Sequence, residues 1–339
     1  MRAVRVSLMA LVLVLALVPG SSAGAQSSIT PFTQLLNPVG VAIGLDGTVF
    51  TSSDAVSTVV LTHFAPDASL LHQTTIGGVT VGNLGRLAVD PTSGNLIYLT
   101  STGQVYVINA ITLEILPLFD IPNMPIDTSA IFDITTGAVQ PDLSGIIVPQ
   151  LATYGDIAVY RPDAEHMDFF LSGSMKGYPF VLRIRLLSDG TATAKTLIST
   201  LTPNIPEETN ARGVAVNLNG TVLTTLPSYP NGEFLISFPA NFDEAGASAP
   251  LVHNAGIASQ GMDVDAAGNF YIATGLDDVP LCNLQGGAVV AVSSDLSQYT
   301  CSEAGLGAGL TRDLAVTPDG SALYLTAANG TVWQYRWPQ

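Results

Sequence analysis

The chain of 339 residues carries 27 Asp and Glu against 11 Lys and Arg, a net charge of −16, yet only 11% of its residues are charged and 47% are hydrophobic. That balance excludes a disordered chain, which combines low hydrophobicity with dense charge. It also argues against nucleic-acid binding, which needs a basic face for phosphates. The length fits one large domain or two small ones.

The chain opens with Arg2 and Arg5, an apolar run over residues 6–18, then Pro19, Gly20 and the small triplet Ala23-Gly24-Ala25. A basic start, a short apolar core and an A-x-A end read as a secretory signal over residues 1–25, cut before Gln26. The run is shorter than the roughly 20 residues of a spanning helix. No later run is long enough to cross a bilayer, and no cysteine beside the cut suggests a lipid anchor. An uncleaved N-terminal anchor is the alternative. The expected product is residues 26–339, a single domain that is secreted or held in the periplasm or cell envelope. Cleavage removes two arginines and no acid, so the exported chain is more acidic still. Such charge favours solubility and says little about fold.

A strand is expected over residues 29–36, and a repeat begins after it. It reads GVAIGLDGTVFTSS (residues 40–53), RLAVDPTSGNLIYLTS (86–101), GVAVNLNGTVLTTL (213–226), GMDVDAAGNFYIAT (261–274) and DLAVTPDGSALYLTA (313–327), with a degenerate copy DIAVYRPDAEHMDFFLS (156–172). Each copy is an apolar stretch, a turn, and a second apolar stretch rich in the residues that favour half-buried strands. Asp46-Gly47, Asn219-Gly220 and Asp319-Gly320 supply the positive φ of tight hairpins. Third strands are expected over residues 57–64, 104–109, 181–186, 287–292 and 331–336, and fourth strands over 113–119 and 194–198. Four short antiparallel strands every ~50 residues describe a β-propeller blade. Six blades fit, with an insertion over residues 120–150; an eroded seventh blade there is the alternative. The last copy stops after three strands, so residues 29–36 can supply the fourth and close the ring. No run of amphipathic helices is evident.

The matching pieces GVAI, RLAV, GVAV, MDVD and DLAV, each followed by a turn and then by FTSS, IYLTS, FYIAT or LYLTA, resemble NHL repeats. They also resemble the senescence-marker-protein/gluconolactonase group of six-bladed propellers. The resemblance covers most of residues 37–337. It implies an all-β propeller whose ligand, a small molecule or a protein partner, meets the loops entering the innermost strands. Asn37, Arg86, Asp156, Asn210, Arg212, Gln260, Arg312 and Asp313 lie there. Arg86, Arg212 and Arg312 would suit an anion, with Gln260 beside them; alternatively each Arg pairs with a neighbouring acid and ties blades together. The resemblance also implies one axial divalent cation, held by Glu, Asn and Asp and used in lactone or ester hydrolysis. Here Val39-Gly40 replace the expected Glu. Asp156, Asn210 and Asp313 remain as oxygen ligands suited to Ca²⁺ or Mg²⁺, and no other cofactor is indicated.

Other chemistry is thinly represented. His63, His72, His166 and His253 form no HExxH spacing; His63 and His72 fall on outer strands, where a surface or packing role is expected. There is no G-x-S-x-G elbow, and the Gly-rich stretch 305–309 lacks the Lys of a phosphate loop. Asp277-Asp278 reads as a turn, as do Asn219 and Asn329 despite matching the glycosylation pattern. Cys282 and Cys301 are expected to pair in an oxidising compartment, closing a loop of about 20 residues worth on the order of 3 kcal/mol; two unrelated buried thiols are the alternative. The expected function is an exported binding or interaction module. The alternative is a metal-dependent hydrolase or lactonase, and a purely structural surface protein is a third reading.

Overall fold

The computed structural model describes residues 28–337 apart from 56–57, 77–84, 142, 144–145, 176–177, 202–212, 229–231, 254–256, 258, 276–277, 280–283, 286–287, 304–305 and 307–310. The expected signal segment, Asn210, Arg212, Asp277 and Cys282 lie outside these residues.

Each repeat copy folds as two antiparallel strands joined by its turn, and the following apolar stretches extend the pair to a four-stranded meander. One sheet runs Pro38–Ile43, Val49–Ala55, Thr58–Phe64, Leu70–Ile76; the next runs Arg86–Val89, Leu96–Leu99, Gln104–Ile108, Ile115–Asp120. Val214–Val216, Thr221–Ser228, Gly232–Pro239 and Leu251–His253 form another. Ser259–Val264, Phe270–Thr274, Ala288–Val292 and Tyr299–Glu303 form a fourth, with the small hairpin Asp278–Val279/Leu284–Gln285 inserted beside it. The turns carry the expected left-handed glycines: φ is 81° at Gly47, 76° at Gly220 and 70° at Gly320. Side-chain oxygens finish these turns, as where Asp46 Oδ1 accepts from Thr48 N and Oγ1 at 3.1 and 2.6 Å and Asn217 Oδ1 from Thr221 N at 2.9 Å.

Residues 120–150 build no sheet of their own. Ile126–Asp127 and Ala130–Asp133 pair parallel to Ala192–Ser199, and Ala138–Pro141 follows antiparallel. They widen the meander Thr153–Tyr160, His166–Met175, Tyr178–Leu187, Ala192–Ser199 into a seven-stranded sheet. The only helices among the described residues are two 3₁₀ turns in this insertion, Ile121–Asn123 and Pro149–Leu151.

The first and last described strands meet. Ser28–Gln34 pairs antiparallel with Thr331–Arg336 and completes the four-stranded sheet of Thr311–Val316 and Ala322–Ala327. Phe32 packs edge-on against Tyr324 (5.0 Å) and Phe64 (5.8 Å), linking the last sheet to the first. Innermost strands pack in order: Pro38–Ile43 on Arg86–Val89, then Thr153–Tyr160, Val214–Val216, Ser259–Val264 and Thr311–Val316, which packs back on Pro38–Ile43. The core lies between the sheets. Phe50, Leu61, Leu96 and Tyr98 join the first to the second, and Tyr271, Leu314 and Leu323 join the last two. Each such large apolar side chain contributes roughly 1.5–3 kcal/mol by leaving water.

If Ser28–Gln34 is the closing strand, a chain that begins at residue 35 leaves the edge of Thr331–Arg336 unpaired. It should melt several degrees lower and associate beyond the intact protein in size-exclusion chromatography. Unchanged melting and elution would count against closure by this strand.

Candidate functional site

Gly40, Arg86, Asp156, Gly213, Gly261 and Asp313 occupy one repeat position, at the start of each inner strand. The structure gives this layer a single purpose. Arg86 is 1% exposed and crosses the axis. Its Nε donates to Gly155 O (2.9 Å), Nη1 to Val39 O (3.1 Å) and Nη2 to Gln260 O (2.9 Å), so one side chain bonds three other inner strands. Nη1 also lies 3.9 Å from Asp313 Oδ2. The glycines of the layer make room. A Cβ on Gly40 would fall 2.8 Å from Gly85 O, and one on Gly261 2.9 Å from Leu314 N.

Carboxylates staple neighbouring sheets in the same region. Asp156 Oδ2 accepts from Val214 N at 3.1 Å, Asp313 Oδ2 from Val41 N at 3.0 Å, and Asp263 Oδ2 from Val316 N at 2.8 Å. Burial disfavours their charged forms. Asp156 is pushed well above the usual carboxylate range by burial and by the charge of Asp313, with Arg86 opposing. Asp313 is raised to about 6 by burial against the pull of Arg86, and Asp263 to about 7, again chiefly by burial. Asp263 sits two residues beyond Gly261, where every other copy has Ala: Ala42, Ala88, Ala158, Ala215, Ala315. The first acid of this copy's "MDVD" marks the departure in the sequence.

Below the Arg86 layer runs an axial cavity of ≈ 420 Å³, lined by every inner strand and by the first-hairpin turns, with Asp156, Asp263 and Asp313 in its walls. Arg86 is not in its lining. The cavity therefore extends toward the turns, away from the loops that enter the inner strands, and much of that entry side lies outside the described residues.

Among the expected entry-loop residues, Gln260 sits on Ser259–Val264, with its carbonyl on Arg86. Arg312 does not pair with its neighbour Asp313: its Nη1 donates to Asn37 Oδ1 and to Pro38 O (3.2 Å). Asn37 itself holds a left-handed φ of 51°. Asp54, which the sequence reading did not single out, is buried here, raised by burial with Arg312 opposing, and its Oδ2 has no hydrogen-bond partner. Cys301 lies on an outer strand and holds no free thiol. His63 stacks on Phe50 at 4.0 Å, the packing role expected of it. A second cleft of ≈ 460 Å³ lies off the axis, beside Tyr160, His166 and Arg185. Its charges are matched: Arg185 chelates Asp168 and reaches Glu244, and His166 meets Asp163.

No family model matches the sequence, and no curated protein does. Solved structures do match. A crystal structure described provisionally as a gluconolactonase aligns over 91% of this chain and 92% of its own, at 14% identity and a TM-score of 0.54. A protein of unknown function from Bacteroides thetaiotaomicron aligns over 92% of this chain and 76% of its own, at 13% identity and a TM-score of 0.56. The chain has a β-propeller fold, shared with these structures. At such identity the likeness concerns fold alone, and activity must be argued from the site.

The axial ion of gluconolactonase-type propellers does not fit the described residues. Both carboxylates expected to ligate it, Asp156 and Asp313, are engaged by backbone N–H groups, and Arg86 sits beside Asp313. No group of three or more His, Cys, Asp or Glu among the described residues is placed to hold a metal.

Two outcomes follow. Arg86→Met removes three hydrogen bonds and the positive charge among buried acids. It should cost about 3–5 kcal/mol of unfolding free energy in denaturant titrations; a loss below ~1 kcal/mol would refute the hub. The second concerns pH. Folded Asp263 and Asp313 keep their protons to about 7 and 6, whereas unfolded Asp titrates near ~3.9. The folded state thus binds more protons between these values, so stability contributed by these groups is full below about pH 4 and falls as pH rises toward 7. Asp263→Asn should flatten that decline, and an unaltered slope would contradict it.

Proposed function

We propose that this chain is an exported, six-bladed propeller acting as a binding or interaction module, with its ligand on the axis. The seven-stranded sheet counts as the third blade, because its Thr153–Tyr160 strand takes one place in the ring of inner strands. The observation that carries the binding reading is the axial cavity. It is walled by equivalent positions of successive repeats and is of a size that suits a small ligand. The entry-loop arginines contribute less: Arg86 is committed to carbonyls and Arg312 to Asn37 and Pro38. Export rests on residues 1–25, and a Cys282–Cys301 bridge belongs with it.

The fold likeness favours a second reading, a divalent-metal-dependent hydrolase or lactonase. That reading needs Asn210 and a rearrangement of Arg86 around Asp313. Metal analysis of the purified mature protein, with melting before and after chelation, separates the two. The binding module predicts no stoichiometric ion and a melting temperature unmoved by chelator. One tightly held ion per chain, with a drop on chelation, would favour the hydrolase, since a ligand specific to the folded state raises its stability.

A further inference from the structure

The repeats stack equivalent residues in layers along the axis. Two residues past the Arg86 layer stand Ala42, Ala88, Ala158, Ala215 and Asp263, and the next residue of every copy is β-branched: Ile43, Val89, Val159, Val216, Val264 and Val316. Both layers line the cavity. Its mouth is the position two residues further on, where Leu45 and Leu218 are 55% and 64% exposed and Pro91, Ala266 and Pro318 add apolar surface. The charged groups in this lining are already engaged. Asp156 accepts from Ile157 N and Val214 N, and Asp263 from Val264 N and Val316 N, one on each oxygen. Asp313 Oδ2 accepts from Val41 N beside Arg86, and Asp265 bonds Asn269 and the Tyr271 hydroxyl. Arg161, the one cation of the mouth, chelates Asp90 at 2.9 and 2.7 Å. Asn217 is 1% exposed, and its Oδ1 is held by Asn219 N and Thr221 N.

A space walled by aliphatic rings and by polar groups that already have partners holds water poorly, because a confined water needs several polar partners of its own. Replacing such water with an apolar body is favourable. A charged guest would give up its hydration and find no free counter-charge, and an anion would also meet the buried acids. We propose that the turn-end cavity binds a compact, uncharged apolar molecule, its body ringed by Ile43, Val89, Val159, Val216, Val264 and Val316 and its outer end against Leu45 and Leu218. The proposal rests on the axial-binding reading and adds the ligand class and the end from which it enters. A volume of ≈ 420 Å³ has room for a fused aromatic ring pair.

Fluorescence titration of the purified protein at neutral pH with naphthalene, 1-naphthylmethylammonium and 1-naphthoate tests it, with methyl nuclear magnetic resonance to locate each probe. Naphthalene should bind about tenfold or more tightly than either ion. Its ring current should shift the methyl signals of Ile43, Val89, Val159, Val216, Val264 and Val316 and leave those of the outer strands in place. Val89→Phe, which fills the cavity without touching a polar group, should weaken naphthalene about tenfold or more. Should that variant fail to fold, the methyl shifts of the unaltered protein still decide the site. An ion that shifts the axial methyls and binds as tightly as naphthalene overturns the uncharged class and leaves the axial site standing. Axial methyls that shift with protein concentration alone mean that a second copy covers the mouth, which overturns the small-molecule assignment. Axial methyls moved by none of the probes overturn both the class and the axial reading.

Discussion

The rest of the molecule is organised around one guanidinium on the propeller axis. Arg86 spends its three nitrogens on carbonyls of Gly155, Val39 and Gln260, each from a different inner strand. The planar fork can do this because its donors diverge at fixed angles, which a lysine ammonium cannot reproduce. A buried cation is costly to desolvate, and Asp313 at 3.9 Å offsets part of that cost. Gly40 and Gly261, at equivalent positions of other repeats, reflect the crowding of this layer, because neighbouring backbone and side-chain oxygen atoms occupy the space of a Cβ.

That hub decides which end of the axis is open. With the entry end spanned by Arg86, the cavity faces the first-hairpin turns instead. The carboxylates below it join neighbouring strands through backbone N–H groups, which explains how buried acids can be structural and still give the cavity its sign. Other basic residues serve the same end. Arg183 clamps Asp243 and the Ala240 carbonyl, and Arg161 clamps Asp90, each pair joining two sheets. Burial opposes the charge on Asp90, yet the Arg161 hydrogen bonds hold it at about 2. In a chain so acidic, the few cations are concentrated where sheets must be tied together.

The sequence carried the repeat plainly, because the strand period and the turn chemistry agree at Asp46-Gly47, Asn219-Gly220 and Asp319-Gly320. It also carried the closing strand, since an incomplete last repeat needs a partner. Residues 120–150 were legible as an insertion, but not as extra strands on one sheet, because their apolar positions are too few to reveal a parallel pairing. The site was harder to read. Arg86, Arg312 and Asp313 stand in one short motif region, yet their partners come from strands far apart in the chain, and sequence spacing cannot show a contact across an axis. Asp263 stood out only as the single acid in a column of alanines, and Asp54 is a lone acid near the end of the Val49–Ala55 strand with no counterpart in the other copies.

The most direct test of the hub is hydrogen exchange of arginine Nε–H groups by nuclear magnetic resonance. Arg86 Nε–H, bonded to Gly155 O and sealed from solvent, should exchange as slowly as core strand amides, while that of exposed Arg336 exchanges quickly. An Arg86 Nε–H that exchanges as fast as that of Arg336 would mean that the axis is open at that end, and the account of the cavity would fall with it.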